Sequence, residues 1–258
     1  MRLAFTDRGA GPVVVLLHGF PLSRAMWDRQ VEALSANYRV IAPDLRGHGE
    51  SPAPDGAYTM ESMADDVVDL LDGLGIEDPV VLGGLSMGGY VSLALTLKNP
   101  ARVRGLMLLD TKAEADSTEA AEGREKSAKA VLEAGNPGSV VEAMVPKLFA
   151  EATIKKNPAL VESFRTLMNK TPAAGVAGAL RGMAVRPEQT GRLGEIKIPT
   201  LVIVGEHDAI TPPDGARRMA DALPAGKIEV IPGAGHLAPC ENPEAVNAAI
   251  LKFLSGLG

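Results

Sequence analysis

The sequence predicts an α/β protein in which a mostly parallel sheet is flanked by helices on both faces and interrupted once by an all-helical insertion. Three observations carry this reading. Short, continuous runs of apolar and β-branched residues alternate with stretches of helical periodicity. The alternation stops after Asp110, and no strand pattern appears until about residue 191. It then resumes at Thr200.

The elements follow in order. Val13-Val14-Val15-Leu16-Leu17 is apolar throughout, so it reads as a strand buried on both faces. Residues 27–34 have helical spacing, and residues 38–42 form a second short strand ended by Pro43. Thr59 caps a helix running to about Leu74, with Met63, Val67, Leu70, Leu71 and Leu74 on one side. Gly75 stops it. Glu61, Asp65, Asp66, Asp69 and Asp72 then make an acidic, solvated face. Residues 79–85 are a third buried strand, residues 87–97 a helix, and residues 103–109 another strand. Four amphipathic stretches follow, at 117–134, 139–150, 158–169 and 172–185, punctuated by proline and glycine. Strands return at 200–204 and 227–231, and a final helix covers 243–254. The chain therefore divides into an α/β core, residues 1–111 and 191–258, and a helical cap, residues 112–190.

Composition narrows the function classes. The chain has 258 residues, 46% hydrophobic and 22% charged, which suits one large globular domain with an inserted subdomain. No apolar run approaches the ~20 residues of a membrane span. The first residues lack the apolar core of a signal peptide, so a cytoplasmic protein is expected. Cys240 is the sole cysteine; it excludes an internal disulfide and agrees with a reducing compartment. The net charge is −6 with no basic stripe, which speaks against a nucleic-acid partner. The four histidines show neither HExxH nor clustered ligand spacing, so no metal and no cofactor is expected. The expected partner is a small molecule, and nothing in the chain specifies an oligomeric state.

The chemistry-bearing residues sit at strand ends. Gly84-Leu85-Ser86-Met87-Gly88 has the pattern G-x-S-x-G, directly after a buried strand and before a helix. A nucleophile elbow needs that context, with small residues flanking a sharply turned serine. A serine hydroxyl is a poor nucleophile alone. It needs a histidine base, and the histidine needs an acid to orient it. Asp208 and His236 follow Ser86 in the order required, each after a predicted strand, at the sheet edge where open parallel sheets place ligands. Alternatives exist at each position. His207 is the other late histidine, Glu206 the neighbouring acid, and Asp110 another strand-end carboxylate that also suits a turn. Acyl transfer further needs donors for an oxyanion. The backbone N–H groups of Met87 and of Phe20, in the turn His18-Gly19-Phe20-Pro21, are placed to supply them. His18 is expected to brace that turn through backbone hydrogen bonds. Asp44 to Ser51 reads as a structural loop, with Asp44 and Arg46 available to pair.

These segments together resemble the α/β-hydrolase superfamily. They are His18-Gly19-Phe20-Pro21, the D-x-R-G-H-G-x-S run at 44–51, the G-L-S-M-G-G run at 84–89, the G-E-H-D run at 205–208 and the G-A-G-H run at 233–236. The resemblance covers essentially the whole chain. It is closest to small carboxylesterases, 3-oxoadipate enol-lactonases and cofactor-free haloperoxidase-like perhydrolases. It implies an acyl-enzyme on Ser86, oriented by His236 and Asp208, with the insertion as cap. It also implies a first antiparallel hairpin, shortened here to something near residues 3–6. Serine at the centre of the elbow argues against haloalkane dehalogenases and epoxide hydrolases, which carry aspartate there.

The predicted activity is hydrolysis of carboxylic esters of small or medium substrates. The alternatives are an enol-lactonase-like lactone hydrolase, a perhydrolase, and a catalytically silent binding module of the same fold. The cap should roof the pocket. Candidate lining residues are Met144, Leu148, Phe149, Phe164, Leu167, Met168 and Met183, with Trp27 beyond the oxyanion turn. Packing of cap on core competes for each of them. Aromatic residues make up 3% of the chain, which tilts the pocket towards aliphatic acyl groups. A carboxylate-bearing lactone would need a cation, and Arg124, Arg165, Arg181 and Arg186 lie in or near the cap.

Overall fold

A computed structural model describes residues 1–257; Gly258, the last residue of the predicted core, lies outside them. Seven strands form one sheet: β1 (Phe5–Arg8), β2 (Val13–Leu17), β3 (Arg39–Pro43), β4 (Val80–Leu85), β5 (Val103–Leu109), β6 (Thr200–Gly205) and β7 (Gly226–Ile231). Their order is β1-β3-β2-β4-β5-β6-β7. β1 pairs antiparallel with β3, and every other pairing is parallel. The first strand begins two residues later than the sequence suggested. Leu3 instead packs into the core, 2% exposed.

The continuous apolar strands are explained by two cores. Val15, Leu17, Leu82, Leu106, Leu108 and Val202 face one, and Val14, Leu16, Val81, Met107, Leu109 and Ile203 face the other. Successive side chains alternate across the sheet, and both faces are covered, so no position is free to be polar. The first core is closed by α2 (Met60–Gly73), α3 (Met87–Lys98) and a helix absent from the sequence reading, Pro213–Ala222. That helix buries only Ala216, Met219 and Ala220, too weak an apolar stripe to announce it. The second core is closed by a 3₁₀ turn at Arg24–Trp27, by α1 (Asp28–Leu34) and by the last helix, Pro243–Ser255.

Caps set the helix ends. Thr59 Oγ1 accepts from Ser62 N at 3.1 Å, and Gly75 follows α2 with φ 67°. Asp66 departs from the expected solvated face. It is buried and takes the Arg46 guanidinium at 2.6 Å. The anticipated pair of Asp44 with Arg46 does not form, because Asp44 is engaged by Arg24.

Between β5 and β6 lie five helices: α4 (Thr118–Ala134), α5 (Gly138–Leu148), α6 (Glu151–Lys156), α7 (Pro158–Asn169) and α8 (Ala173–Ala184). The short α6 was not anticipated; it buries no side chain, so it leaves no apolar pattern. α4 and α8 extend the first core through Ala128, Val131, Val176 and Leu180. α5 and α7 extend the second through Val141, Val145, Leu148 and Phe164. α8 sits against the earlier loops on a stripe of glycines. A Cβ at Gly175 would lie 1.8 Å from Gly47 O, and one at Gly182 would lie 1.6 Å from Tyr58 O. Among the described residues, no helix is long and apolar enough to cross a membrane.

Candidate active site

Ser86 stands at the junction of β4 and α3 with φ 51° and ψ −112°, a conformation that side-chain-bearing residues seldom adopt. The turn is tight enough to exclude other side chains nearby. A Cβ on Gly84 would fall 2.2 Å from Gly88 O, and one on Gly88 would fall 2.3 Å from Leu17 O. The neighbouring strand end holds the serine backbone: Ser86 N donates to Leu109 O at 2.9 Å, and Thr111 Oγ1 donates to Ser86 O at 2.8 Å.

The structure brings His236 and Asp208 to this serine. Ser86 Oγ lies 2.9 Å from His236 Nε2, and His236 Nδ1 lies 2.8 Å from Asp208 Oδ2. With Nδ1–H donating to the carboxylate, Nε2 is the acceptor for the serine proton. Asp208 receives three more donors: Ile210 N at 2.8 Å, Thr211 N at 2.9 Å and Thr211 Oγ1 at 2.6 Å. Burial alone would raise its carboxyl; His236 and Thr211 outweigh that and hold it below the usual carboxylate range. His207 and Glu206 are both exposed, and Glu206 instead accepts from Gly233 N at 2.8 Å.

Two further carboxylates fix the loops: Asp110, weighed from sequence as an alternative acid or a turn residue, and Glu241, which the sequence reading did not single out. Asp110, buried with φ 43°, accepts from Gly205 N at 2.8 Å and Ala238 N at 3.3 Å. It therefore ties together the ends of the loops bearing Asp208 and His236, while Asp208 alone meets the imidazole. Burial, and then the nearby Asp208 charge, push the Asp110 carboxyl well above its usual range. Glu241 accepts from Gly235 N at 2.7 Å and from Ala150 N at 2.9 Å. One side chain thus joins the histidine loop to the junction of α5 and α6. The sole sequence hint was its place five residues after His236; it ends a short helix, Ala238–Glu241.

Neither Phe20 N nor Met87 N donates to any acceptor among the described residues, so both N–H groups are available. His18 braces the loop as expected. Its Nδ1–H donates to Gly19 O at 2.9 Å, and its Nε2 accepts from Leu45 N at 2.9 Å. Burial drops the His18 imidazole to about 4 and His48, its neighbour at 5.0 Å, to about 3. Both are neutral at physiological pH.

A cavity of about 610 Å³ opens over Ser86 and His236, between α4, α5 and α8. Met144 and Met183 line it, together with Phe20, Tyr90, Leu180 and Ile210. The other candidates do not. Trp27, Leu148, Phe164 and Met168 are packed inside the second core, 0%, 1%, 8% and 0% exposed. Leu148 acts on the site through its backbone, accepting from Leu237 N at 3.1 Å. Of the four arginines weighed, only Arg124 lines the cavity. Arg165 and Arg181 are occupied by glutamates, and Arg186 is buried with Asp116 at 2.8 Å. A larger groove of about 690 Å³, between β7 and the last helix, contains none of the three hydrogen-bonded residues.

Comparisons with known proteins agree with this geometry. A family model described as the alpha/beta hydrolase fold matches residues 12–243. The chain is 32% identical to 3-oxoadipate enol-lactonase 1 of Acinetobacter baylyi over 90% of its own length and 85% of the relative's. It is 33% identical to a protein of Mycobacterium tuberculosis named as a non-heme bromoperoxidase, over 100% of this chain and 99% of that one. A thermophilic esterase from Thermogutta terrifontis, solved with malate bound, superposes with a TM-score of 0.97 at 48% identity, covering 99% of this chain and 93% of that one.

Proposed function

The chain belongs to the alpha/beta hydrolase family, and on that footing we propose that it is a serine hydrolase cleaving carboxylic esters through an acyl-enzyme on Ser86. The observation that carries the proposal is the unbroken series Ser86 Oγ, His236 Nε2, His236 Nδ1, Asp208 Oδ2, with links of 2.9 and 2.8 Å. The esterase and enol-lactonase relatives support the same class.

The residues divide the work as follows. His236 takes the hydroxyl proton as Ser86 attacks the ester carbonyl. Phe20 N–H and Met87 N–H hold the oxyanion that forms. Asp208 stabilises the imidazolium and fixes its ring. His236 then gives its proton to the leaving alcohol. Water repeats the sequence on the acyl-enzyme and frees the acid. Helices of residues 112–190 act as the cap that encloses the acyl group. A cytoplasmic location belongs to the same proposal and rests on the lone Cys240.

Ser86→Ala tests the proposal. Turnover of a nitrophenyl ester should fall by about 10⁴–10⁶ with the melting temperature retained. A fluorophosphonate probe should label the wild type and not the variant. Undiminished turnover, or a wild type the probe leaves untouched, refutes the mechanism; the second result favours a silent binding module. A second reading, a lactone hydrolase, is favoured by one feature: Arg124 gives the cavity a cation for a carboxylate-bearing lactone.

A further inference from the structure

The cavity over Ser86 has charge of one sign. Its walls include Arg124, Lys126 and Lys147 and, among the described residues, no aspartate or glutamate. The chain as a whole carries a net charge of −6, so this cluster runs against the overall composition. The acids on the same helices lie outside the cavity lining, and two of them are held in ion pairs. Glu125 pairs with Arg181 and Lys129, and Glu142 pairs with Arg165. Asp116 is the one acid joined to a cavity cation, and it is shared between Arg124 and Arg186. One negative charge there meets two positive ones.

Arg124 retains donor capacity. Its Nε and Nη2 face Asp116, while Nη1 meets only the Met183 sulfur at 3.6 Å, a weak acceptor. Lys126 and Lys147 form no ion pair among the described residues and are exposed. Arg186, buried below, lies 4.3 Å over the ring of Tyr90, which lines both the cavity and the helix behind Ser86. The remaining walls are mainly apolar, including Phe20, Val140, Met144, Leu180 and Ile210, with Ser127 and Ser139 among them.

We propose that the enzyme selects acyl substrates bearing a carboxylate remote from the scissile carbonyl, held by Arg124 and drawn in by Lys126 and Lys147. This rests on the acyl-transfer mechanism above and narrows its substrate class. An aliphatic segment spans the apolar walls with its ester carbonyl at Ser86, and the terminal carboxylate meets the cations. A neutral acyl chain fills the same walls but leaves the Arg124 donor unused. A cationic substrate is repelled. A cleft lined by one sign of charge also raises the local concentration and arrival rate of the opposite sign.

The test compares two chromogenic esters of equal shape: the 4-nitrophenyl half-ester of adipic acid, and the same compound with its free carboxylate masked as a methyl ester. Release of nitrophenolate is followed for both. At low ionic strength the wild type should favour the anionic ester by about tenfold in kcat/KM. The preference should shrink as salt approaches 1 M, where the screening length is about 3 Å. The double variant Lys126→Glu with Lys147→Glu should lower the anionic-to-neutral ratio below that of the wild type at low salt. Circular dichroism and melting confirm that this exposed double change leaves the fold intact. A wild-type ratio of one or less overturns the inference, as does a ratio that neither salt nor the double variant moves. Failure of the underlying mechanism looks different: neither ester is turned over, and the fluorophosphonate leaves Ser86 unlabelled.

Discussion

Replacing His48 by phenylalanine should flatten the acid side of the protein's stability curve. His48 is fully buried, and its imidazole lies at about 3 against an ordinary 6.5, first because of burial and then because of His18. The folded state therefore refuses a proton that the unfolded chain accepts. Stability from this group is complete above the unfolded value of about 6.5 and is lost as pH falls from there towards about 3. Between pH 7 and pH 5 the loss amounts to about 2 kcal/mol, with a limiting slope of about 1.4 kcal/mol per pH unit. His18 behaves in the same direction, its value lowered to about 4. Asp110 acts oppositely, because its carboxyl is raised and the folded state holds the proton more tightly. Subtracting the variant from the wild type removes both of those contributions. The variant also loses the Nδ1 bond to Arg46 O at 2.9 Å, a cost that does not depend on pH above the native titration. Urea unfolding at about pH 7, 6 and 5 measures the two curves. They should converge as pH falls, by about one proton per molecule. Parallel curves would mean that His48 titrates normally in the folded state, and the burial argument would fail.

Two further outcomes follow from the site. Gly88→Ala places a Cβ 2.3 Å from Leu17 O, a backbone atom of β2 that cannot rotate away. It should cost about 1–3 kcal/mol and lower the melting temperature by several degrees, with turnover reduced because the elbow shifts; an unchanged melt would show that the turn has slack. Thr211→Val removes the hydroxyl donor 2.6 Å from Asp208 Oδ2. Loss of a bond to a charged group should cost about 1.5–3 kcal/mol at neutral pH by denaturant unfolding. Because the Asp208 carboxyl is lowered from 3.8, that cost should fade as acid protonates it; a cost independent of pH would argue that Thr211 matters only for packing.

The proximity of Ser86, His236 and Asp208 was legible because the chemistry proposed for them constrains the local sequence. Gly84 and Gly88 have no substitute that fits, and Asp208 and His236 must each follow a strand. The strands were legible for a related reason: Val13–Leu17 is buried on both faces and shows it in every residue. The insertion between β5 and β6 was readable as helices but not as a surface. Met144 and Met168 occupy equivalent-looking apolar positions, yet one faces the cavity and the other the second core. That choice is set by how α5 and α7 lean on the sheet, which no local pattern encodes. Trp27 was misplaced for the same reason, being taken by the core below the 3₁₀ turn. Arg46 pairs with Asp66 rather than Asp44 because Arg24, 22 positions earlier in the chain, arrives at Asp44 first in space. Glu241 and Asp110 bind backbone amides from distant segments, so only the folded chain identifies their partners.

The glycine stripe on α8 and the Glu241 bridge bear on inheritance. The helices that line the roof leave the sheet at one strand end and return at the next, so a lineage can exchange them as a block without altering strand order. Such a graft would have to meet terms set by the host. It needs a residue without a side chain where Gly175 meets Gly47 and where Gly182 meets Tyr58. It also needs a free amide where Ala150 reaches Glu241. Between those few seams the roof is at liberty to diverge without disturbing the strand ends beneath it.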